Sequence, residues 1–116
     1  MTTKEILKLY KIEMIIEQVN GYKIKNFIGG GDMEPFFSLA YATADTVDED
    51  VIPAIQHFLN GNIPPIDPDL GGIGALATIY SDAVRFHNPY NGEIEQTIPL
   101  EHFKIIALAW RDFLLH

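Results

Sequence analysis

The first apolar stretch of the chain, over residues 5–19, fits two kinds of element. One interpretation is a helix, because Thr2 and Glu5 have the spacing of an N-terminal capping box. Gly21 is suited to end such a helix, since glycine adopts the left-handed conformation of a helix C-terminus without strain. These end signals alone would predict one helix over most of the segment.

The second interpretation is a β-hairpin. Apolar and polar residues alternate over 10–16, as they do in a strand with one covered face. Asn20-Gly21 is a strong two-residue hairpin turn, and residues 22–25 alternate again after it. The hairpin is favoured, and the helix stays open as the alternative.

The next apolar run is predicted to be a strand. Gly29-Gly30-Gly31-Asp32 reads as a flexible turn, and residues 36–43 follow it with mostly apolar or small side chains. Such a composition is typical of a short buried strand.

A helix of about residues 50–60 is predicted in the middle of the chain. Thr46 and Glu49 form a second capping-box pattern, and acidic residues are favoured near a helix N-terminus. Because proline is tolerated only in the first turn, Pro53 places the expected start near Asp50.

A long loop and three strands are predicted after this helix. Residues 61–74 are rich in proline and glycine, so they are expected to be irregular and are a candidate contact surface. Residues 76–80 and 83–87 read as strands of a tight hairpin, and residues 93–98 add an edge strand.

The C-terminal helix, over about residues 100–115, has the most regular pattern. Pro99 precedes it, as proline often does at a helix start. Its apolar stripe consists of Phe103, Ile106, Ala107, Trp110, Phe113 and Leu114. Further apolar residues widen the stripe, so the helix is either deeply buried or partly an interface.

Together these patterns predict one α+β domain over residues 1–116. We expect an antiparallel sheet of about four to six strands, with the middle helix and the C-terminal helix packed on one face. A length of 116 residues with 47% hydrophobic residues is enough to fill a single core.

Charge is unevenly distributed along the chain, whose formal net charge is -8. All 8 Lys and Arg residues lie outside the span 26–84. The acidic residues inside it are Asp32, Glu34, Asp45, Asp48, Glu49, Asp50, Asp67, Asp69 and Asp82. Such a field repels nucleic acid and steers a cationic protein toward it, mainly by faster association. The alternative is that acidity only keeps the protein in solution.

The residue types needed for chemistry are sparse. The chain has no cysteine, which excludes disulfides, thiolate metal sites and cysteine nucleophiles. Its histidines lack metal-ligand spacing, and its glycine clusters lack the residues of phosphate-binding loops. We therefore expect no catalytic residue, no metal and no cofactor, and the chain is not expected to be an enzyme.

No targeting or membrane segment is expected. Charged residues interrupt residues 1–20, so no apolar run is long enough for a signal peptide or a spanning helix. A cytoplasmic location follows as the default, with neither membrane nor nucleic acid as a partner.

Residues 97–114, with the sequence TIPLEHFKIIALAWRDFL after a short hairpin, carry a resemblance to a known group. The pattern over about residues 46–115 resembles small immunity proteins of bacterial polymorphic-toxin and contact-dependent growth inhibition systems. These proteins often have a sheet, a middle acidic helix, a hairpin and a final helix that begins Pro-Leu-acidic-x-Phe. The resemblance implies a non-enzymatic cytoplasmic antidote that binds the C-terminal domain of a cognate secreted toxin, commonly a nuclease.

Contacts with that cationic partner are expected on the acidic surface, with the protein as a monomer or weak homodimer. The candidate contact residues are Asp45, Asp48, Glu49, Asp50, Asp67 and Asp69, with Tyr90 as a possible anchor.

Two other functions remain open. The first is a small enzyme or ligand-binding domain, with a pocket near His87 that uses Asp82 and Arg85. The second is an assembly or adaptor subunit that pairs through the apolar face of its last helix.

Overall fold

A computed structural model describes residues 1–61, 69–72 and 75–116 of the chain. The helices are α1 Thr3–Leu9, α2 Met33–Pro35, α3 Ala44–Thr46, α4 Ile52–Leu59 and α5 Leu100–Leu115. There are also two π-helical turns. The first, Phe36–Ala40, continues α2, and the second, Val47–Val51, joins α3 to α4. The strands are β1 Glu13–Val19, β2 Tyr22–Ile28, β3 Asp69–Gly72, β4 Ala75–Ile79, β5 Ala83–His87 and β6 Ile94–Pro99.

The strands form two antiparallel sheets, which confirms the predicted α+β class. Strands β1 and β2 pair alone, and we call this pair the ribbon. The other four strands pair in the order β3-β4-β5-β6, so β6 is an edge strand, as predicted. The predicted hairpin of β4 and β5 is confirmed, with Ile79 opposite Val84 next to the turn.

The capping box and the hairpin turn predicted near the N-terminus are both present, in successive elements. The Thr2 hydroxyl accepts a hydrogen bond from the Glu5 amide, and the Glu5 carboxylate accepts one from the Thr2 amide, so the capping box starts α1. The favoured hairpin is also confirmed, with Val19 opposite Tyr22 across the turn. The single helix over residues 5–19 is wrong, because α1 ends at Leu9.

The strand predicted over residues 36–43 is wrong. Residues 36–40 of this segment form the π-helical turn that continues α2. Met33, Phe36 and Phe37 are fully buried, whereas Leu39 is 63% exposed. Burial therefore recurs at helical spacing, which a short and continuously apolar run does not distinguish from a strand.

The middle helix, residues 44–59, begins earlier than predicted. Its cap is Thr43, whose hydroxyl accepts a hydrogen bond from the Thr46 amide. Pro53 lies beyond the first turn and has no N–H with which to continue the α-helical pattern. The π-helical turn before Pro53 keeps the chain helical, because the Ile52 amide donates a hydrogen bond to the Val47 carbonyl.

Part of the predicted loop over 61–74 is a strand. Residues 69–72 form β3, with Asp69 opposite Thr78. A side chain at Gly71, where φ is 120°, would collide with the Ala75 carbonyl, so glycine allows this close pairing. Residues 62–68 and 73–74, including Asp67, lie outside the described residues.

One core lies between α5, the inner face of the larger sheet and the helices of the middle segment. The predicted stripe of α5 supplies Phe103, Ile106, Ala107 and Trp110, all buried. The Trp110 indole donates a hydrogen bond of 2.9 Å to the Tyr41 carbonyl, which satisfies its one polar atom.

Two long polar side chains connect distant parts of this fold. The Lys25 ammonium of the ribbon donates to the carbonyls of Phe113 and Leu114, at 2.9 and 3.0 Å, and so binds the C-terminal end of α5. The Gln96 amide accepts from the Asp32 amide and donates to the Gly30 carbonyl, which holds the glycine turn against β6.

Candidate functional site

The predicted acidic residues of the middle helix form an exposed surface within residues 45–50. We call this surface the acidic face; its residues are Asp45, Asp48, Glu49 and Asp50. Val47 and Val51 are fully buried, and their side chains anchor this part of the helix in the core. The carboxylates are held in the first turns of the helix, where the helix dipole favours negative charge.

Asp48 is the one member of the acidic face with an ion pair among the described residues. Its carboxylate lies 3.1 Å from the Arg111 guanidinium of α5, which also lies 2.9 Å from Asp112. The hydrogen bonds that the Arg111 guanidinium donates, first to Asp112 and then to Asp48, raise the pKa of Arg111. Asp45, Glu49 and Asp50 have no cation within ion-pairing distance in the described part of the chain.

Tyr41 joins the acidic side of the molecule to β3. Its hydroxyl accepts a hydrogen bond of 3.1 Å from the Gly71 amide. Burial raises the pKa of this hydroxyl, the bond from Gly71 opposes the shift, and the charge of Asp50 adds to it. The charge of Asp50 therefore acts on the Tyr41 hydroxyl, which is hydrogen-bonded to β3.

Asp69 is exposed on β3, and its carboxylate accepts a hydrogen bond of 2.7 Å from the Thr78 hydroxyl. This bond leaves further acceptor positions of the carboxylate open to solvent. Asp69 is thus exposed on a strand, rather than in the loop where it was expected.

Tyr90 lies in the turn between β5 and β6 and is 96% exposed. Its backbone is fixed, because the Asn88 side chain accepts hydrogen bonds from the amides of Tyr90 and Asn91. Across the described residues, no hydrogen bond or ring contact connects the Tyr90 side chain to the acidic face.

The alternative site around His87 divides into two parts. Arg85 makes a two-pronged contact with Asp82, at 3.1 and 3.0 Å, and its guanidinium lies 4.7 Å from the Tyr80 ring centre. The pKa of Asp82 is lowered by the hydrogen bonds from Arg85. Arg85 and Asp82 thus form an ion pair with each other, and neither lines the concavity that contains His87.

His87 instead lines a concavity of about 280 Å³ on the outer side of the sheet. Other residues that line it are Asp69, Leu76, Thr78, Asn88 and Gly92. The Nε2 atom of His87 is buried and has no hydrogen-bond partner in the described residues. A buried polar atom without a partner is uncommon in proteins, so this atom is the most unusual feature of the concavity.

The N-terminus carries a basic surface that the sequence reasoning missed. Lys4, Lys8 and Lys11 line an open groove of about 770 Å³ between α1 and the start of β1. The spacing of the first two lysines, one helical turn apart, is the signal in the sequence that could have located this surface. The molecule thus has a basic side as well as an acidic one.

Other kinds of site have no counterpart in the parts of the chain that the structure describes. Residues 1–61, 69–72 and 75–116 contain no group of three or more His, Asp or Glu side chains placed to hold a metal ion. None of the helices described is both long enough and apolar enough to cross a membrane.

Comparisons with known proteins do not extend this description. No protein-family model matches the chain, and neither the curated proteins nor the solved structures include a match to it.

Proposed function

We propose that this protein binds a cationic protein partner through the acidic face and thereby neutralises it. We further propose that the partner is the C-terminal domain of a cognate secreted toxin, as the resemblance to immunity proteins implies. The observation that carries the proposal is the placement of Asp45, Glu49 and Asp50, which are exposed on a helix anchored in the core and have no ion pair among the described residues. A cytoplasmic location belongs to the same proposal.

The rigidity of the acidic face supports binding. The hydroxyl of Thr43 caps the helix, and Val47 and Val51 are buried below the carboxylates. Charges held on a packed helix need little further ordering when a partner arrives, which lowers the entropic cost of association. Exposed carboxylates on a flexible segment would lack this advantage.

The chemistry of the face favours a protein partner over nucleic acid. The phosphates of nucleic acid would be repelled, whereas lysine and arginine side chains would be attracted. A nuclease presents a cationic surface to its substrate, so an anionic protein can compete for that surface and associate quickly. Asp48 should contribute less than its neighbours, since Arg111 already neutralises part of its charge.

The first experiment is co-purification with the toxic C-terminal domain encoded upstream, followed by growth rescue in cells that express that domain. We expect a stable complex and restored growth. If the pair forms no complex and growth is not rescued, the antidote function is wrong.

The role of the acidic face is tested by reversing its charges. The triple variant Asp45→Lys, Glu49→Lys, Asp50→Lys should slow association with the toxin domain by about tenfold or more at low salt. The matched control reverses the exposed residues Glu93, Glu95 and Glu101, which changes the net charge equally away from the face. Equal rates and salt dependence for the two variants would show that the location of the charge does not matter.

A second candidate function, small-ligand binding, rests on His87. Its unpartnered Nε2 atom lies in a concavity that a polar ligand could enter. A fragment screen followed by NMR of the His87 ring tests this function, and loss of binding in His87→Phe would support it. Fragments that leave the ring signals unchanged would remove the candidate.

The assembly function loses its main argument in the structure. The apolar face of α5 that suggested it is mostly in the core, with Phe103, Ile106 and Trp110 buried. We therefore propose a monomer or weak homodimer, and the mass in solution at several protein concentrations measures which of the two is present.

A further inference from the structure

The groove at the N-terminus has an apolar floor. It lies between α1 and the start of β1, with a volume of about 770 Å³. Leu7, which packs against the core, and Ile12, which is 6% exposed, are the apolar residues that line it. A volume in this range above an apolar floor is typical of sites for small organic molecules.

Three lysines surround this floor. Lys4 and Lys8 lie one turn apart on α1, and Lys11 follows at the corner before β1. All three are exposed, and none has an ion pair in the described part of the chain. Glu5 forms no ion pair with them, since its carboxylate is bonded to the Thr2 amide. Glu13 is the acidic residue that lines the groove.

The shape of the groove is set by contacts with the rest of the fold. The Ile12 amide donates a hydrogen bond of 2.8 Å to the Leu7 carbonyl, which closes the corner between α1 and β1. Lys11 adopts φ of 56°, and its carbonyl packs so closely on Gly29 that a side chain there would collide with it. A site that is already formed loses little free energy to ordering when a ligand binds.

The position of α1 is fixed in the same way. Ile6 is buried, and the Tyr10 hydroxyl lies 2.7 Å from Nδ1 of His102 on α5. The helix that carries Lys4 and Lys8 is therefore held against the body of the protein.

The balance of charge limits the class of ligand. Three lysines against Glu5 and Glu13 leave a local excess of one positive charge, while the whole chain carries -8 and repels polyanions. An apolar floor also offers nothing to a fully hydrated ion. We propose that this lysine groove binds an amphiphilic monoanion, with the apolar chain on Leu7 and Ile12 and the anionic head among the lysine ammonium groups.

The test uses decanoate, at concentrations below micelle formation, with the full chain. Amide NMR spectra should shift at residues 4–13, and calorimetry should give a saturable isotherm. Decanol carries no charge, so it should bind about twofold to fivefold more weakly, as expected for loss of an exposed charge pair. This comparison uses the unmodified protein and does not depend on any variant folding.

A variant and a matched control locate the charge. Lys4→Gln combined with Lys8→Gln should weaken decanoate about fivefold to tenfold. Lys23→Gln removes an exposed lysine of the ribbon that does not line the groove, and it should leave the affinity unchanged. Thermal unfolding of each variant checks that the fold is kept.

Several results would overturn the proposal. These are no saturable binding of decanoate, equal affinity for decanol, or the same weakening in Lys23→Gln as in the groove variant. Binding to vesicles that contain anionic lipid, without binding of free decanoate, would show that the lysines contact a membrane surface and that the groove is not a ligand site. Each outcome concerns the N-terminal surface and leaves the test of the acidic face independent.

Discussion

The ribbon and the four-stranded sheet are both antiparallel with tight turns, yet they differ in what covers their faces. In the larger sheet, Ala77, Ile79, Val84 and Phe86 share one face, which is buried against α5 and the π-helical turn Phe36–Ala40. In the ribbon, Phe27 is the only buried residue of either strand. Strands β4 and β5 are covered on one face along their length, whereas the ribbon is covered only at its base.

This difference shows that hairpin formation and contribution to the core are separate properties. A turn such as Asn20-Gly21 makes a ribbon form, but a two-stranded ribbon is marginally stable alone and needs packing against other elements. Phe27 and Lys25 supply that packing, and the strand ends near Val19 and Tyr22 extend away from it into solvent.

The largest expected effect distinguishes buried aromatic residues from the exposed ribbon. Phe86→Ala in the sheet and Phe27→Ala at the ribbon base should each lower the free energy of unfolding by about 3–5 kcal/mol. Phe86 contacts the rings of Phe36 and Phe103, and Phe27 contacts those of Phe37 and Trp110. Chemical denaturation measures both. A loss below about 1 kcal/mol for Phe27→Ala would mean that the ribbon base is not part of the core.

A smaller effect is expected at the contact between the ribbon and α5. Lys25→Met should cost about 1–2 kcal/mol, because the carbonyls of Phe113 and Leu114 lose a charged donor at a helix C-terminus. The substitution should also increase the rate of amide hydrogen exchange more in the ribbon than in β4 and β5. Lys23→Met is the matched control, since that side chain is exposed. Equal effects of the two substitutions would contradict a specific role for Lys25.

Two aspartates in turns, Asp82 in the larger sheet and Asp32 after the ribbon, should make the stability of the fold depend on pH in opposite directions. The hydrogen bonds from Arg85 lower the pKa of Asp82 at the turn between β4 and β5, so its stabilising effect is present above the ordinary value of 3.8 and is lost as the pH falls through the lowered pKa. Burial, with the nearby charge of Glu95, raises the pKa of Asp32 after the ribbon. The folded state therefore holds that proton more tightly, and stability decreases as the pH rises from 3.8 through the raised pKa.

Two substitutions measure these opposite contributions. Asp82→Asn should lower the melting temperature at pH 7, and the difference should shrink in acid. Asp32→Asn should raise the melting temperature at pH 7, with a difference that also vanishes in acid. Changes of the same sign at pH 7 would show that one of the two assignments is wrong.

The smallest effect is expected at the far end of the ribbon. Tyr22→Ser should change the free energy of unfolding by less than about 0.5 kcal/mol, because the side chain is 74% exposed. Urea denaturation measures this change, through the midpoint of the variant compared with that of the unmodified protein. A loss comparable to that of Lys25→Met would indicate that the ribbon is covered along more of its length.

Elements with complete local signals were predicted well. The bounds of α5 agree with the predicted range 100–115, because Pro99 marks its start and its apolar residues keep helical spacing over four turns. Both hairpins were located by their turn residues. The run 36–43 failed because its apolar residues are consecutive, so neither period dominates.

The candidate site was predicted in part. The exposure of Asp45, Glu49 and Asp50 follows from their charge, but the ion pair of Asp48 with Arg111 joins residues separated by 63 positions. The lysine groove has a similar origin. Its charges were visible at helical spacing, while its floor exists only because the chain turns at Lys11 and returns past Leu7.

The sequence by itself determined the α+β class, the turns of both hairpins, the start of the C-terminal helix, and the acidity of the middle segment. These properties depend on the hydrogen bonds, sterics and charges of residues a few positions apart. Tertiary structure decided that the middle helix passes through Pro53, that the ribbon is covered only at its base, and that Asp48 has a cation beside it. Burial and ion pairing depend on which distant residues meet in space, and local pattern carries no information about those distances.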